Sequence, residues 1–558
     1  MSENNLRARW LKLILVISLG VLLRIWSFDK LPNGLHWDEQ DTGYQAYSLL
    51  KTGKDYFGNK LPLFPHSLAE YRTPILIYSM VPVVKVFGLS ALSVRSLPVL
   101  FGILGIITFG LLMYFSSKNV LLTTLSLLSI SISIWHIQYS RQAVESIVMS
   151  LYFLLGLTCF FRKKYIISAL MFGLSMWAYS TAKLFVPVFV FILIITNYQR
   201  FKTLNIKTIL ISGFVICLFA YLVIVDGIFG KSGQRFRELS IFTDPITAAE
   251  VNVLRQTQQR ASGATGVGLS PRLIDKIIYN KATFWWNTFI KNYASAFSTE
   301  FLFIKGDHEL RHSPSRENIG MLYLVEIIPL GIGIYLAFKN KTYWLIFWFL
   351  FGAIPGALTR TDNPHAARLF IMLPALLYLI SMGMHKIFQN SKFIFQVYIL
   401  LLGVSAIFTF SYYFSIYRWE SAQPFQYGFD QAIKIATENQ NKYDRIIIDG
   451  KQDTLLMAYL FNTKFDPNLF QQMQPTPVVQ PYSNVYGNQF DNIFLLFPSE
   501  RAWRTIWNDG ETGKKTLLIV ANGQPELEID KSLPAGITRL GTIDYPDSSI
   551  AFQIIEGR

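Results

Sequence analysis

Eleven apolar runs of near membrane-spanning length constrain this chain more than any other feature. They fall near residues 11–27, 94–115, 119–136, 146–162, 165–180, 183–197, 206–226, 320–338, 342–359, 366–386 and 393–412. A helix needs about 20 predominantly apolar residues to cross a hydrocarbon core. Charge between the runs supplies a direction. With the N-terminus cytoplasmic, the inner segments carry Arg7, Arg9, Lys12, Lys118, Arg162, Lys163, Lys164, Arg200, Lys202, Lys207, Lys339, Lys341, Lys386 and Lys392. Only Glu3 stands against them, as the cytoplasmic excess of Lys and Arg requires. Loops 28–93 and 227–319, and everything after 413, then lie outside. The expected fold class is an α-helical polytopic membrane protein of the cell (inner) membrane, with about 11 transmembrane helices and a small C-terminal extracytoplasmic α/β domain.

Composition agrees. Of 558 residues, 51% are hydrophobic and 16% charged, against about 25% charged in soluble domains. The net charge of +15 is spread in short clusters between apolar runs, so it points to loops on a bilayer and not to nucleic acid. Two cysteines, Cys159 and Cys217, both within apolar runs, argue against a disulfide framework or a cysteine metal site. No small-residue cleavage site follows the first run, which reads as a retained span and not a signal peptide.

The chain divides into residues 1–413, the membrane domain, and 414–558. In loop 28–93, Asp38 to Lys51 places Tyr44, Tyr47 and Leu50 at helical spacing, with Gly53 as a stop. It predicts a helix at the interface. Pro74 to Phe87 is apolar but short, hence re-entrant or interfacial. In the tail, Asp444–Asp449, Asn492–Phe497 and Lys515–Val520 predict strands, and Asp453–Asn462 and 499–508 helices. That alternation implies an α/β unit.

The polar constellations all fall on the outer side. Trp37-Asp38-Glu39 puts an acidic pair just past the first span. Asp38 can serve as a helix N-cap or as a general base toward an acceptor hydroxyl or amine. Neighbouring helical positions point about 100° apart, so one base with one supporting residue, Glu39, suits the pair better than two carboxylates flanking one bond. Tyr71 and Arg72 follow, then Arg141 and Lys183 at the outer ends of spans. Snorkelling accounts for such cations singly; together beside an acidic pair they can cradle an anionic leaving group. Asp307, Arg311 and His312 form a further cluster, and His365 and Arg368 share a face at the start of span ten. The spacing of His308 and His312 fits no standard ligand pattern, so no metal is expected.

This ordered set resembles the membrane-embedded GT-C glycosyltransferases, specifically bacterial members of glycosyltransferase family 39. That family includes protein O-mannosyltransferases, and its relatives include the aminoarabinose transferases of lipid A. The resemblance is carried by Trp37-Asp38-Glu39, Tyr71-Arg72-Thr73-Pro74, Val94-Arg95, Tyr139-Ser140-Arg141, Tyr179 through Pro187, Gly306 to Ser313 and Asn363 to Arg368, and it covers most of residues 10–410. It implies Asp38 as the catalytic residue, a polyprenyl-phosphate sugar donor, inversion at the anomeric carbon, and no nucleotide or other cofactor. Arg72-Thr73-Pro74 departs from the Lys-Pro-Pro of relatives, and the tail is not the β-trefoil of eukaryotic protein mannosyltransferases.

The expected function is sugar transfer from a polyprenyl-phosphate donor to an extracytoplasmic acceptor (glycan, lipid or protein), with Glu39, Tyr71, Arg72, Arg141, Lys183, Asp307, Arg311, His312, His365 and Arg368 as substrate-binding candidates. A transporter or flippase of a lipid-linked or small substrate is the rival, and an assembly factor docking through its tail a third reading. Transport is disfavoured because the spans are nearly uncharged, Glu326 being the main exception.

Overall fold

A computed structural model gives the architecture. It describes residues 3–557 apart from 69, 203, 230–232, 266–269, 316, 361–363, 450–454, 474–484, 499–513 and 522–536. Every one of the eleven apolar runs is helical. The first ten helices are α1 (Glu3–Ile25), α2 (Trp37–Thr52), α3 (Pro74–Phe87), α4 (Ala91–Ser117), α5 (Val120–Ile132), α6 (Ile134–Ser140), α7 (Glu145–Phe161), α8 (Tyr165–Ala178), α9 (Ser180–Thr196) and α10 (Ile206–Phe229). The later runs form Ile327–Lys339, Tyr343–Phe351 with Ile354–Ala357, Ala366–Asn390 and Lys392–Ser415.

Not all of them reach the expected length. Among the described residues, three helices are long and apolar enough to cross a membrane: α4, Ala366–Asn390 and Lys392–Ser415. A fourth is obtained if α5 and α6, bent by 58°, count as one span. The break has a local cause: the Ser133 side chain accepts from the His136 amide and starts a new helix, the N-cap preference of serine. Other runs give apolar helices of 14 to 17 residues, α7, α8 and α9 among them. Leu15, Phe214, Phe408 and many other large apolar side chains stand exposed on these helices, the outer surface expected of a bundle solvated by lipid.

Small residues bring the backbones together. A Cβ on Gly333 would lie 1.9 Å from the Leu379 carbonyl oxygen, and one on Gly383 1.9 Å from that of Pro329. The helices Ile327–Lys339 and Leu373–Asn390 therefore touch main chain to main chain, the close approach that glycine permits between apolar helices.

The tail holds one sheet, with β1 (Arg445–Asp449), β2 (Val485–Phe490), β3 (Ile493–Pro498), β4 (Thr516–Ala521), β5 (Ile537–Asp544) and β6 (Ile550–Gly557) in the order β2-β3-β1-β4-β6-β5. β3, β1 and β4 are parallel, with Ile446 opposite Ile493 on one side and Leu517 on the other; β2, β6 and β5 add antiparallel edges. All five residues of β1 are buried, as a central parallel strand requires. The three strands read from sequence are present. β2, β5 and β6 were not anticipated, because their polar residues break the apolar run. The expected helix at 499–508 lies outside the described residues.

In loop 28–93 the expected helix forms. α2 ends at Gly53 in the left-handed conformation (φ 68°), its amide on the Leu49 carbonyl. Glu39 to Ala46 are all buried, in part because the tail packs on the helix. The Tyr44 hydroxyl donates to the Phe465 carbonyl (3.1 Å), and Gln471 Nε2 donates to Ser48 Oγ (3.2 Å), Thr52 Oγ1 (3.0 Å) and the Asp55 carbonyl (3.0 Å). Gly43 is where this contact is tightest: a Cβ there would meet Val94 Cγ2 at 2.7 Å and Phe461 Cε2 at 2.8 Å. Gly43→Val is expected to force the two domains apart at α2, at a cost of roughly 1–3 kcal/mol for overpacking. A lowered thermal midpoint in detergent, with faster proteolysis of the tail, checks this; an unchanged midpoint contradicts it.

Candidate active site

The first turn of α2 fixes the site. The cap is His36 and not Asp38: His36 Nδ1 accepts from the Asp38 amide (3.2 Å), and the His36 amide donates to Glu39 Oε2 (3.2 Å), a reciprocal capping box. Glu39 points inward. It is almost wholly buried and accepts from Arg95 Nε (2.9 Å), Arg95 Nη2 (2.8 Å) and the Ala143 amide (3.1 Å). Arg95 spends its remaining donors on the carbonyls of Pro32 (2.8 Å) and Gly34 (2.7 Å). Glu39 is thus a support that ties α2 to α4, not a residue open to substrate.

One position back along α2, Asp38 is left partly exposed, its side chain 27% accessible. Arg72 Nη2 donates to its Oδ1. Oδ2 lies 3.3 Å from His36 Nδ1 and 3.5 Å from Arg311 Nη1. Arg311 Nη1 also lies 3.1 Å from His36 Nε2, so the imidazole and the second cation sit together against the carboxylate. Burial alone pushes the Asp38 carboxyl up, but Arg72, His36 and Arg311 outweigh it and hold the group well below the usual carboxylate range. The positive end of the α2 dipole acts in the same direction. Burial holds His36 below the usual histidine range.

Arg72 is more crowded than the sequence suggested. Besides Asp38, its Nε lies 3.3 Å from Asp41 Oδ2 and 3.6 Å from Glu70 Oε1, its Nη1 4.0 Å from Glu145 Oε1, and its guanidinium 5.3 Å from the Trp37 ring. Asp41 is itself wholly buried, taking donors from Tyr56 (2.7 Å) and Ser67 (2.9 Å). Asp41, Glu70 and Glu145 were not singled out from sequence. Asp41 could have been, since residues three apart on a helix share a face; Glu145 comes from another helix and left no such sign.

The other predicted residues divide. Asp307 is buried, Oδ1 accepting from the Glu309 amide (3.0 Å) and Oδ2 from the Ala366 amide (2.7 Å). Burial raises its carboxyl, and the neighbouring His312 (3.4 Å) with the two amides brings it below the usual range. His365 packs against His312, ring centroids 4.2 Å apart and the planes tilted by 35°. Arg141 is turned away: its guanidinium donates to the carbonyls of Leu31 (3.2 Å), Leu23 (3.1 Å), Arg24 (3.4 Å) and Ser27 (3.0 Å), and it is fully buried. The guanidinium thus caps carbonyls at and beyond the end of α1, and its donors are taken up by backbone where a phosphate was expected. Lys183 lies over the Phe64 ring (5.2 Å), Arg368 donates to Thr359 Oγ1 (2.7 Å), and Tyr71 stacks on His66 (4.5 Å). Asn363 lies outside the described residues.

No protein-family profile matches the sequence, and no curated protein does. Solved structures do resemble the chain. ArnT from Cupriavidus metallidurans in the apo state is similar at 11% identity, with 97% of each chain covered and a TM-score of 0.48. The same protein bound to undecaprenyl phosphate is similar at 12% identity, 97% of each chain and a TM-score of 0.47. The Archaeoglobus fulgidus oligosaccharyltransferase, in complex with zinc and sulfate, is similar at 14% identity over 81% of this chain and 61% of that one, with a TM-score of 0.47. This chain thus spans about three fifths of the archaeal protein's length.

Two outcomes follow from the ion pairs. Arg95→Met leaves the Glu39 charge buried without its partner and is expected to cost about 3–5 kcal/mol, with much of it recovered in the Arg95→Met/Glu39→Gln double variant; thermal unfolding of the set checks it. Asp38 has a folded pKa below its unfolded one, about 3.9. Its contribution to stability is therefore present above the unfolded value and lost as pH falls through the folded one. Arg72→Met is expected to lower stability at neutral pH, by a margin that shrinks as the medium is acidified into that range. A margin that stays constant with pH contradicts the pairing.

Proposed function

We propose that this chain transfers a sugar from a polyprenyl-phosphate donor to an acceptor at the outer membrane face, with Asp38 as the base. The observation that carries the reading is a partly exposed carboxylate at a helix N-terminus, held between Arg72 and Arg311 on the side of the bundle formed by loops 28–93 and 227–319. A carboxylate in that place can take a proton, and the adjoining guanidinium groups can meet a phosphate. The charge bias of the loops supports this side being extracytoplasmic and the N-terminus cytoplasmic.

In the proposed reaction the acceptor oxygen or nitrogen attacks the anomeric carbon as its proton passes to Asp38. The bond from that carbon to the phosphate oxygen breaks, and polyprenyl phosphate leaves with the bonding pair. Attack opposite the leaving group inverts the centre. The resting electrostatics add a condition. A carboxylate held far below its usual range is a weak base, and catalytic groups work best when their pKa lies near the operating pH. Donor phosphate draws Arg311, the more exposed of the two cations at 27%, away from Asp38 and relaxes that hold. The base is thereby strengthened only when the donor is present. Arg72, already ringed by carboxylates, stays with Asp38 and sets its orientation.

Asp38→Asn is expected to fold, to keep donor binding, and to lose about 10²–10⁴-fold in turnover, the usual contribution of a positioned base. Release of lipid phosphate from a labelled lipid-linked sugar is the readout. Normal turnover by a folded, donor-binding variant would remove Asp38 from the mechanism.

A further inference from the structure

Asp307 and His312 sit five positions apart in a segment whose histidine spacing, His308 to His312, argued against a metal site. The fold changes that by bringing in His365 from the start of a distant helix. One ligand atom from each of the three, two imidazole nitrogens and a carboxylate oxygen, lies within 4.8 Å of the others. The carboxylate is already fixed by the Glu309 and Ala366 amides, the kind of outer support that orients a metal ligand. His312 Nδ1 is buried, has no hydrogen bond, and lies 3.4 Å from Asp307 Oδ2. The two imidazole rings are tilted by 35° with centroids 4.2 Å apart, a costly approach if both carry charge and no obstacle if both are neutral. Tetrahedral zinc with bonds of about 2.0–2.2 Å needs its ligands closer than this, so the side chains must draw inward.

The geometry points to a divalent zinc-type ion held by Asp307, His312 and His365, with its fourth position open. Such an ion cross-links loop 306–313 to the helix Ala366–Asn390. It also anchors Arg311, the residue before one ligand and the accessible cation on Asp38. The ion would then act on sugar transfer by positioning Arg311. Binding of the metal itself does not depend on the transferase reading.

The test uses the full-length chain in detergent, without a polyhistidine tag, stripped with chelator and then dialysed against zinc or cobalt(II). About one zinc per chain is expected, together with the visible absorption of low-coordinate cobalt(II). His312→Ala and His365→Ala should each fall to the background of stripped protein, while His308→Ala, at an exposed neighbouring histidine, should bind as the parent does. Should either ligand variant fail to fold, the cobalt spectrum of the parent, compared with that of Asp307→Asn, decides. A parent chain that stays metal-free after loading, or ligand variants that retain the parent's stoichiometry and spectrum, overturns the assignment.

Discussion

The buried pair between Glu39 and Arg95 is the interaction on which the site depends. It joins the first turn of α2 to the second turn of α4 and closes the loop between α1 and α2, because the same guanidinium holds the Pro32 and Gly34 carbonyls. A buried charge pair is weak evidence for stability but can select one arrangement among many. Here it selects the rotation of α2. With Glu39 turned inward, the neighbouring side chain points about 100° away, and that side chain is Asp38. The tail reinforces the same rotation from the other side, through Tyr44, Gly43 and Gln471.

The resulting site is more acidic than a simple phosphate cradle. Arg72 is shared by Asp38, Asp41, Glu70 and Glu145, and Arg141 is consumed by backbone carbonyls. Anion recognition in the proposed reaction therefore falls first to Arg311. This makes loop 306–313 as important as loop 28–93, and it gives a physical reason for tying that loop to the bundle.

Much of this was legible in the sequence, and the omissions have causes. The apolar runs gave every membrane-domain helix that they announced, because helical apolar segments satisfy their own backbone. Their usable lengths were harder to read, since Ser133 divides one run and shorter helices end early. Trp37 and Asp38 meet Arg72 because one loop carries all three. Arg95 appeared only as part of a resemblance, and Asp41 and Glu145 not at all, since their roles arise from contacts between segments far apart in the chain. The same holds for His365 beside His312. The β5–β6 hairpin was missed because polar residues interrupt the apolar pattern of both strands.

In the proposed reaction a lipid-linked sugar is split at its phosphate when an acceptor is present. Proteoliposomes containing the purified chain and labelled polyprenyl-phosphate sugars test it most directly. Release of polyprenyl phosphate in step with glycosylated acceptor is expected, and no release without acceptor. Movement of the intact lipid-linked sugar across the bilayer, with no cleavage under any acceptor tried, would contradict it and favour a transporter.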